Sequence, residues 1–303
     1  MRSLEHANGG LNLIKDKMAQ SKIEWTEKVW NPVIGCSKVS AGCKNCYAET
    51  MSNRLAMMGG SLQEDTWAAY SEILRFDYDN PKYPNGLAKG FNGKIKIMYD
   101  RISQPLHWKK PSMIFVNSMS ELFHEKISFN IIDSIFANME ICKQHTFQIL
   151  TKRPQRAIEY FKWRLSQYPQ TYDNVWLGVS VENQATANER IPLLLQTPAT
   201  VRWISVEPML EKIKIRNTNI IPLKFSWLKS TGIDWVVVGC ESGHNRRECK
   251  LEWVEDIIEQ CKQANVPAFV KQIQIKGIVE KNIENFPEHL QIRQYPLNNL
   301  YLL

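Results

Sequence analysis

Six apolar, β-branched runs punctuate the chain: MIFVN at 113–117, TFQIL at 146–150, VWLGVSV at 175–181, VRWISV at 201–206, DWVVVG at 234–239 and PAFVK at 267–271. Continuous apolar runs of this length suit strands buried on both faces, as in parallel sheets covered by helices. Helical periodicity fills most of the gaps. Residues 128–144 place Ile131, Ile132, Ile135, Phe136 and Met139 on one stripe, and residues 155–166, 184–196 and 251–264 repeat the pattern. Pro154, just after TFQIL, suits the first turn of a helix. Strand, loop and helix in repeated alternation predict parallel βαβ units. The expected fold is therefore α/β, a partial parallel (β/α) barrel of six to seven βα units, with an open doubly wound sheet as the alternative. No Gly-x-Gly-x-x-Gly turn supports a dinucleotide-binding version of that sheet.

The 303 residues suffice for one large domain, and 44% hydrophobic and 23% charged residues give it an ordinary core, so no metal is needed merely to hold the fold. We expect a barrel over residues 21–275 with less regular insertions near 59–93 and 208–232. A loose extension at 1–20 precedes it, and a tail at 276–303 packs on it. No segment approaches the roughly 18 apolar residues of a membrane span, and the N-terminus lacks the apolar core of a signal peptide. The expected location is the cytoplasm, without a membrane partner. A formal charge of +7 permits a phosphate-rich partner without demanding one.

Seven cysteines in a cytoplasmic chain are not a disulfide framework. Cys36, Cys43 and Cys46 fall within eleven residues, in the pattern C-x6-C-x2-C. They lie between a short apolar run and a helical stretch beginning near Tyr47, which is a loop at the C-terminal end of the first strand, where barrel sites form. Three thiolates can hold three irons of a [4Fe–4S] cluster. The fourth iron stays open to chelate the amino and carboxylate groups of S-adenosylmethionine. Zinc competes, since Cys43 and Cys46 make a half-site, Cys36 a third ligand, and Cys240 or His124 a remote fourth. Unmetallated buried thiols are the remaining possibility. Cys142 and Cys261 fall on apolar helix faces and read as small buried hydrophobes.

Polar residues recur where the strands end. Ser118, Ser120, Glu121 and His124 follow the run at 113–117, and Thr151, Lys152 and Arg153 follow 146–150. Ser180, Glu182 and Asn183 end the next run, and Glu207 follows 201–206. Glu241, Ser242 and His244 follow 234–239, and Lys271 and Gln272 end the last. Singly, each reads as readily as a solvated loop residue, but in a parallel barrel all of them converge on one mouth. Carboxylates there need compensation by Lys152, Arg153 or Lys271, or by ligand groups. Ser118, Ser120, Glu121, Lys152, Arg153, Ser180, Glu182, Glu207 and Glu241 are the candidates for binding the cofactor's amino, hydroxyl and carboxylate groups.

The segments SKIEWTEKVWNPVIGCSKVSAGCKNCYAE, FVNSMSELFHE, ILTKRP, VWLGVSVEN, ISVEPML and VVVGCESG, in this order, resemble the phage and bacterial three-Cys-motif family, phage proteins of unknown function. The resemblance runs from about Ser21 to about Gln272. It implies a divergent branch of the radical S-adenosylmethionine superfamily, with a (β/α) barrel, a [4Fe–4S] cluster and S-adenosylmethionine. An electron donor such as flavodoxin or ferredoxin goes with that chemistry, and a partner protein is a further expectation. The superfamily's commonest motif is C-x3-C-x2-C, whereas the first gap here is six residues. The family shows Gly-Gly-Glu-Ser-Gly where this chain has Gly239-Cys240-Glu241-Ser242-Gly243, which argues against an essential ligand role for Cys240. Its sequences commonly begin near Met18, so residues 1–17 read as an extension.

The expected function is a radical enzyme that generates a 5′-deoxyadenosyl radical and acts on nucleic acid. Lys152, Arg153, Arg156, Arg246, Arg247 and Lys271 would lie near the mouth, and Arg246 and Arg247, beyond the Glu241-Ser242 turn, are the expected phosphate contacts. The alternative is a zinc-binding, nucleic-acid-interacting protein without radical chemistry. A small-molecule or peptide substrate stays open.

Overall fold

The strands form where the apolar runs lie, because a parallel ladder satisfies their backbone while helices cover their side chains. The computed structural model describes residues 21–58, 64–77, 79, 87–168, 172–215, 232–243 and 245–296. The expected extension at 1–20, parts of both insertions, His244 and the end of the tail lie outside the described residues.

In chain order the elements are β1 (Lys28–Trp30), β2 (Val33–Ile34), α1 (Tyr47–Met57), α2 (Glu64–Glu72), β3 (Leu74–Asp77), β4 (Leu87–Phe91), β5 (Lys96–Ile97) and α3 (Tyr99–Ile102). There follow β6 (Met113–Val116), α4 (Phe129–Ile141), β7 (Thr146–Thr151), α5 (Pro154–Gln167), β8 (Tyr172–Ser180), α6 (Gln184–Leu194), β9 (Ala199–Val206), β10 (Trp235–Gly239), α7 (Leu251–Ala264), β11 (Ala268–Ile275) and β12 (Ile278–Glu280). One eight-stranded sheet has the order β1-β6-β7-β8-β9-β10-β11-β12. Every neighbouring pair is parallel except β11 with β12.

The sheet is curled into a half-barrel rather than closed into a full barrel of βα units. Trp25 shows the curl directly. Its ring lies 4.8 Å from Phe115 on β6 and 6.2 Å from Trp235 on β10, although three strands separate β6 from β10 in the sheet. Side chains alternate along each strand. Ile114, Phe147, Leu177, Ile204, Val236 and Val270 point outward into the core shared with α4–α7. Trp176, Val201, Trp203, Trp235, Val237 and Phe269 point inward, with Trp25 among them. Most of the tryptophans are core, as their sequence positions imply.

The first insertion is more ordered than its Gly-, Asn-, Asp- and Tyr-rich composition suggests. It contains α2 and an antiparallel β3–β4 ladder. The tail covers the sheet. Beyond β12, Phe286 and Leu290 enter the outer core. Backbone bonds from Val270 to Ile292 and from Gln294 to Ala268 fasten it to β11, and Tyr295 stacks on Trp235 at 5.5 Å. No helix among the described residues is long and apolar enough to cross a membrane.

Candidate metal centre

The cysteine loop begins at the end of β2, which lies outside the eight-stranded sheet. β2 pairs with β5, and Gly35 bridges to Ser120 at the end of β6. Gly35 sits at φ +89, and a Cβ there would lie 2.3 Å from the Lys94 carbonyl, so the turn into the loop requires glycine. A short 3-10 turn, Ala41–Cys43, brings Cys43 round, and Cys46 stands at the N-cap of α1. All three thiols are free; Cys43 is buried and Cys36 and Cys46 are half-buried.

Their environments differ. Burial, with the Glu121 carboxylate adding to it, pushes the Cys36 thiol up to about 12, and charge on Cys46 or Cys43 would push it the same way. Burial also raises Cys46. At Cys43 burial is outweighed by the Lys152 ammonium and by backbone groups of Val39 and Ser40, so this thiol lies below its ordinary value. Lys152 Nζ stands 3.9 Å from Cys43 Sγ. Ionising all three thiols would need a bound cation to repay the cost of their burial. Among the described residues no three His, Cys, Asp or Glu side chains gather around one point as a single metal ion requires.

Residues that follow four strands, β6, β7, β8 and β10, hold this loop. Ser37 Oγ accepts from Arg153 Nη2 at 2.7 Å and lies 2.8 Å from His124 Nε2. The Lys126 N–H donates to His124 Nδ1 at 3.2 Å, so both ring nitrogens are occupied and neither is free for zinc. Burial, then the Arg153 charge, lowers His124 to about 4, so it is neutral near pH 7. Ser40 donates to Glu182 Oε1 at 2.7 Å. Glu182 is fully buried and also meets Lys152 Nζ at 2.8 Å and Arg190 Nη1 at 3.2 Å. Burial would raise this carboxyl; Lys152 and Arg190 outweigh it and hold it below the usual carboxylate range. Gly42 rests on Glu182, and a Cβ at Gly42 would lie 2.4 Å from its Cγ. Asn45 donates to Glu241 Oε2 at 2.9 Å, while Arg247 pairs with Glu241 and donates to the Ala41 carbonyl at 2.9 Å.

The other nominated residues are placed as follows. Glu121 accepts from the Thr151 hydroxyl at 2.7 Å and from the Lys152 and Phe123 N–H groups, which fastens the β6 loop to the end of β7. Ser118 donates to Asn31 Oδ1 at 3.1 Å and Ser120 to the Val33 carbonyl at 2.8 Å, so both hydroxyls brace the start of the cysteine loop. Ser180 lends its carbonyl to Arg190 at 2.7 Å. Glu207 pairs with Lys271 at 2.9 Å. Cys240 is buried beside it, pushed up to about 12 by burial and by Glu207. Asn183 is the N-cap of α6 in a capping box with Thr186. Arg246 donates to the Gly277 and Gly243 carbonyls at 2.7 and 2.9 Å. Arg246 and Arg247 thus both direct donors into the protein, Arg247 as a clamp on the cysteine loop. Cys142 and Cys261 lie in the outer core, as their helix faces imply.

Sequence reasoning missed Ser37, Ser40, Gly42, Asn45 and Arg190, whose roles depend on partners remote in the chain. It also missed Asn117, which lies at φ +59, is 5% exposed, and has neither amide atom hydrogen-bonded. Its place at the end of the β6 run was the available signal. Asparagine is among the few residue types that adopt a left-handed backbone readily.

No curated protein and no solved structure matches the chain. A family model, described as "Protein of unknown function (DUF5131)", matches residues 20–290 and takes in the whole sheet and the cysteine loop. The chain belongs to that family.

Proposed function

We propose that the chain is a radical S-adenosylmethionine-type enzyme in which Cys36, Cys43 and Cys46 hold a [4Fe–4S] cluster, and that its substrate is a nucleic acid. The observation that carries this reading is the set of three free thiols on one loop at the C-terminal edge of a half-barrel sheet, braced by residues that follow four of its strands. When bound, the cluster supplies S-adenosylmethionine with an electron, which breaks a C–S bond and yields a 5′-deoxyadenosyl radical.

The chain's own residues prepare that site. Lys152 favours the thiolate of Cys43 and is itself positioned by Glu182, with Arg190 behind. The Glu241–Arg247 pair anchors Ala41 and Asn45. We assign Lys152, Glu121 and Asn117 as the residues that would hold the amino acid end of S-adenosylmethionine; in support, Asn117 keeps a buried amide without a partner and Lys152 is charged. The aromatic rings on the inner face close the lumen below the mouth to water. An electron donor such as flavodoxin or ferredoxin and a cytoplasmic location belong to the same proposal.

Anaerobically purified protein is expected to be brown, with about four irons and matching sulfide per chain. Cys36→Ala, Cys43→Ala and Cys46→Ala should each remove most of the iron. Reduced protein with S-adenosylmethionine should release 5′-deoxyadenosine. Stoichiometric zinc without sulfide would reject the cluster. Iron-loaded, reduced protein that releases no 5′-deoxyadenosine would reject the radical chemistry.

A further inference from the structure

A cleft of about 390 Å³ opens beside the cysteine loop. Ser37 and Lys38 of the loop, Glu49 of α1, Arg75 of β3, Phe91 of β4 and Gly93 line it. The first insertion therefore builds half of a concavity whose other wall is the cysteine loop and α1. Its volume lies in the range of small-ligand sites.

The charge in the cleft is unbalanced. Lys38 and Arg75 line it, and the Lys126 ammonium reaches its rim, donating to the Gly93 carbonyl at 2.7 Å. Glu49 is the carboxylate facing them, and it is already engaged. Its Oε2 lies 2.9 Å from Lys38 Nζ, and its Oε1 accepts the Phe91 N–H at 3.1 Å. Gly90, at φ +101, packs its backbone against that carboxylate, where a Cβ would lie 2.8 Å from Oε1. The carboxylate is thus fixed in the wall, and Arg75 and Lys126 supply positive charge beyond what it neutralises. Concave walls concentrate the resulting field, which favours an anion. Arg75 presents a planar fork suited to two oxygens at once, and Lys126 a compact point charge. Phe91 adds an apolar surface on the same wall. Ser37 joins the cleft to the mouth, since its hydroxyl already holds Arg153 and His124.

We propose that this cleft binds the phosphate of a nucleotide unit, either free or within a polynucleotide, and so holds the substrate beside the cysteine loop. The part played by the bound unit as substrate rests on the function proposed above, whereas its binding is independent of any cluster.

The test is equilibrium binding to the full chain of three probes: adenosine, adenosine 5′-monophosphate and a short single-stranded oligonucleotide, each over a salt series. The monophosphate should bind and the nucleoside should not, with affinity falling as salt rises. A tighter oligonucleotide assigns the site to a polynucleotide, and equal affinity assigns it to a free nucleotide. Arg75→Glu with Lys126→Glu should weaken phosphate-dependent binding by about tenfold or more per reversed charge, and should leave the far-ultraviolet spectrum and iron content as in the wild type. If the double reversal does not fold, Arg75→Ala, a change at an exposed side chain, gives the same reading at smaller amplitude. Equal binding of nucleoside and monophosphate, or unchanged affinity in the folded variants, would overturn the proposal. Phosphate-dependent binding by protein that takes up no iron would sink the cluster reading and leave this one intact.

Discussion

The inner face of the half-barrel is built in two ways. Its lower part, toward the N-terminal ends of the strands, is a floor of rings: Trp25, Trp203, Trp235 and Phe269 meet edge to face or tilted, at 5.2 to 6.2 Å. Its upper part, at the C-terminal ends, is a mouth of buried or nearly buried carboxylates, and Glu182, Glu207 and Glu241 each face a cation of the chain. The floor gains its stability from area removed from water and from ring packing. The mouth gains little net stability from its charges, because desolvation offsets most of their attraction. Two regions a few residues apart on the same strands thus serve different ends, one holding the sheet's curl and the other holding a loop in a fixed place.

Substitutions can break that contrast. Trp203→Ala, in the floor, should cost the most, about 3–5 kcal/mol, read as a fall in denaturation midpoint. Gly178 leaves the space that this indole fills, with a Cβ there meeting the ring at 2.5 Å, so little else is poised to close the void. Iron uptake by the fraction that remains folded should be unchanged, and a specific loss of iron would mean that floor and mouth are one unit.

A pH series gives the next effect. His124 is lowered to about 4 in the folded chain by burial and by Arg153, while an unfolded histidine titrates near 6.5. The unfolded state therefore binds a proton first as pH falls, and stability should drop by about 1.4 kcal/mol per pH unit between about pH 6.5 and 4. His124→Gln should flatten that slope, and Trp203→Phe should keep it. A slope unaltered by His124→Gln would place the titrating group elsewhere.

The smallest effect on stability should come from Gly42→Ala. The added methyl collides with Glu182, at 2.4 Å, and the loop, fastened by side chains rather than by a ladder, is the element expected to shift. Thiol reagents should then modify Cys36, Cys43 and Cys46 faster, with nearly the wild-type melting temperature. A melting loss as large as that of Trp203→Ala would show that the loop is integral to the core.

The ladder was legible because burial on both faces writes itself into consecutive residues. The helix expected at 251–264 is α7, residue for residue, since its apolar stripe is bounded by Lys250 and by Asn265 in a left-handed cap. The repeated βα units made a partial barrel the expectation, but how far the curl runs was not legible. Whether parallel strands close, or stop at half a barrel, depends on tilt summed over many pairs, and no local pattern carries that sum. In the insertion, β3 and β4 escaped notice because only Leu74 and Phe76 carry the alternation in β3, next to a Gly-rich stretch. At the site, the cysteines announced themselves by spacing. The hydroxyls of Ser37 and Ser40 and the amide of Asn45 did not, because a short polar residue in a loop looks the same whether it faces water or a carboxylate 142 residues away. Arg190 was hidden for a related reason, since it lies on a helix where an arginine reads as solvated until its partner, Glu182, is known.

The way Gly42 rests on Glu182 also bears on how the loop is joined to the sheet. The loop is the lid over that carboxylate, and its stretch from Ser37 to Asn45 is tied down through side-chain hydroxyls, an amide and ion pairs, whereas the sheet is held by its ladder and its rings. Lys152 at the end of β7 and Arg190 on α6 both pair with Glu182, so the charge beneath the lid is compensated. The lid's position is thus coupled electrostatically to the scaffold, because lifting it exposes a carboxylate already paired with Lys152 and Arg190.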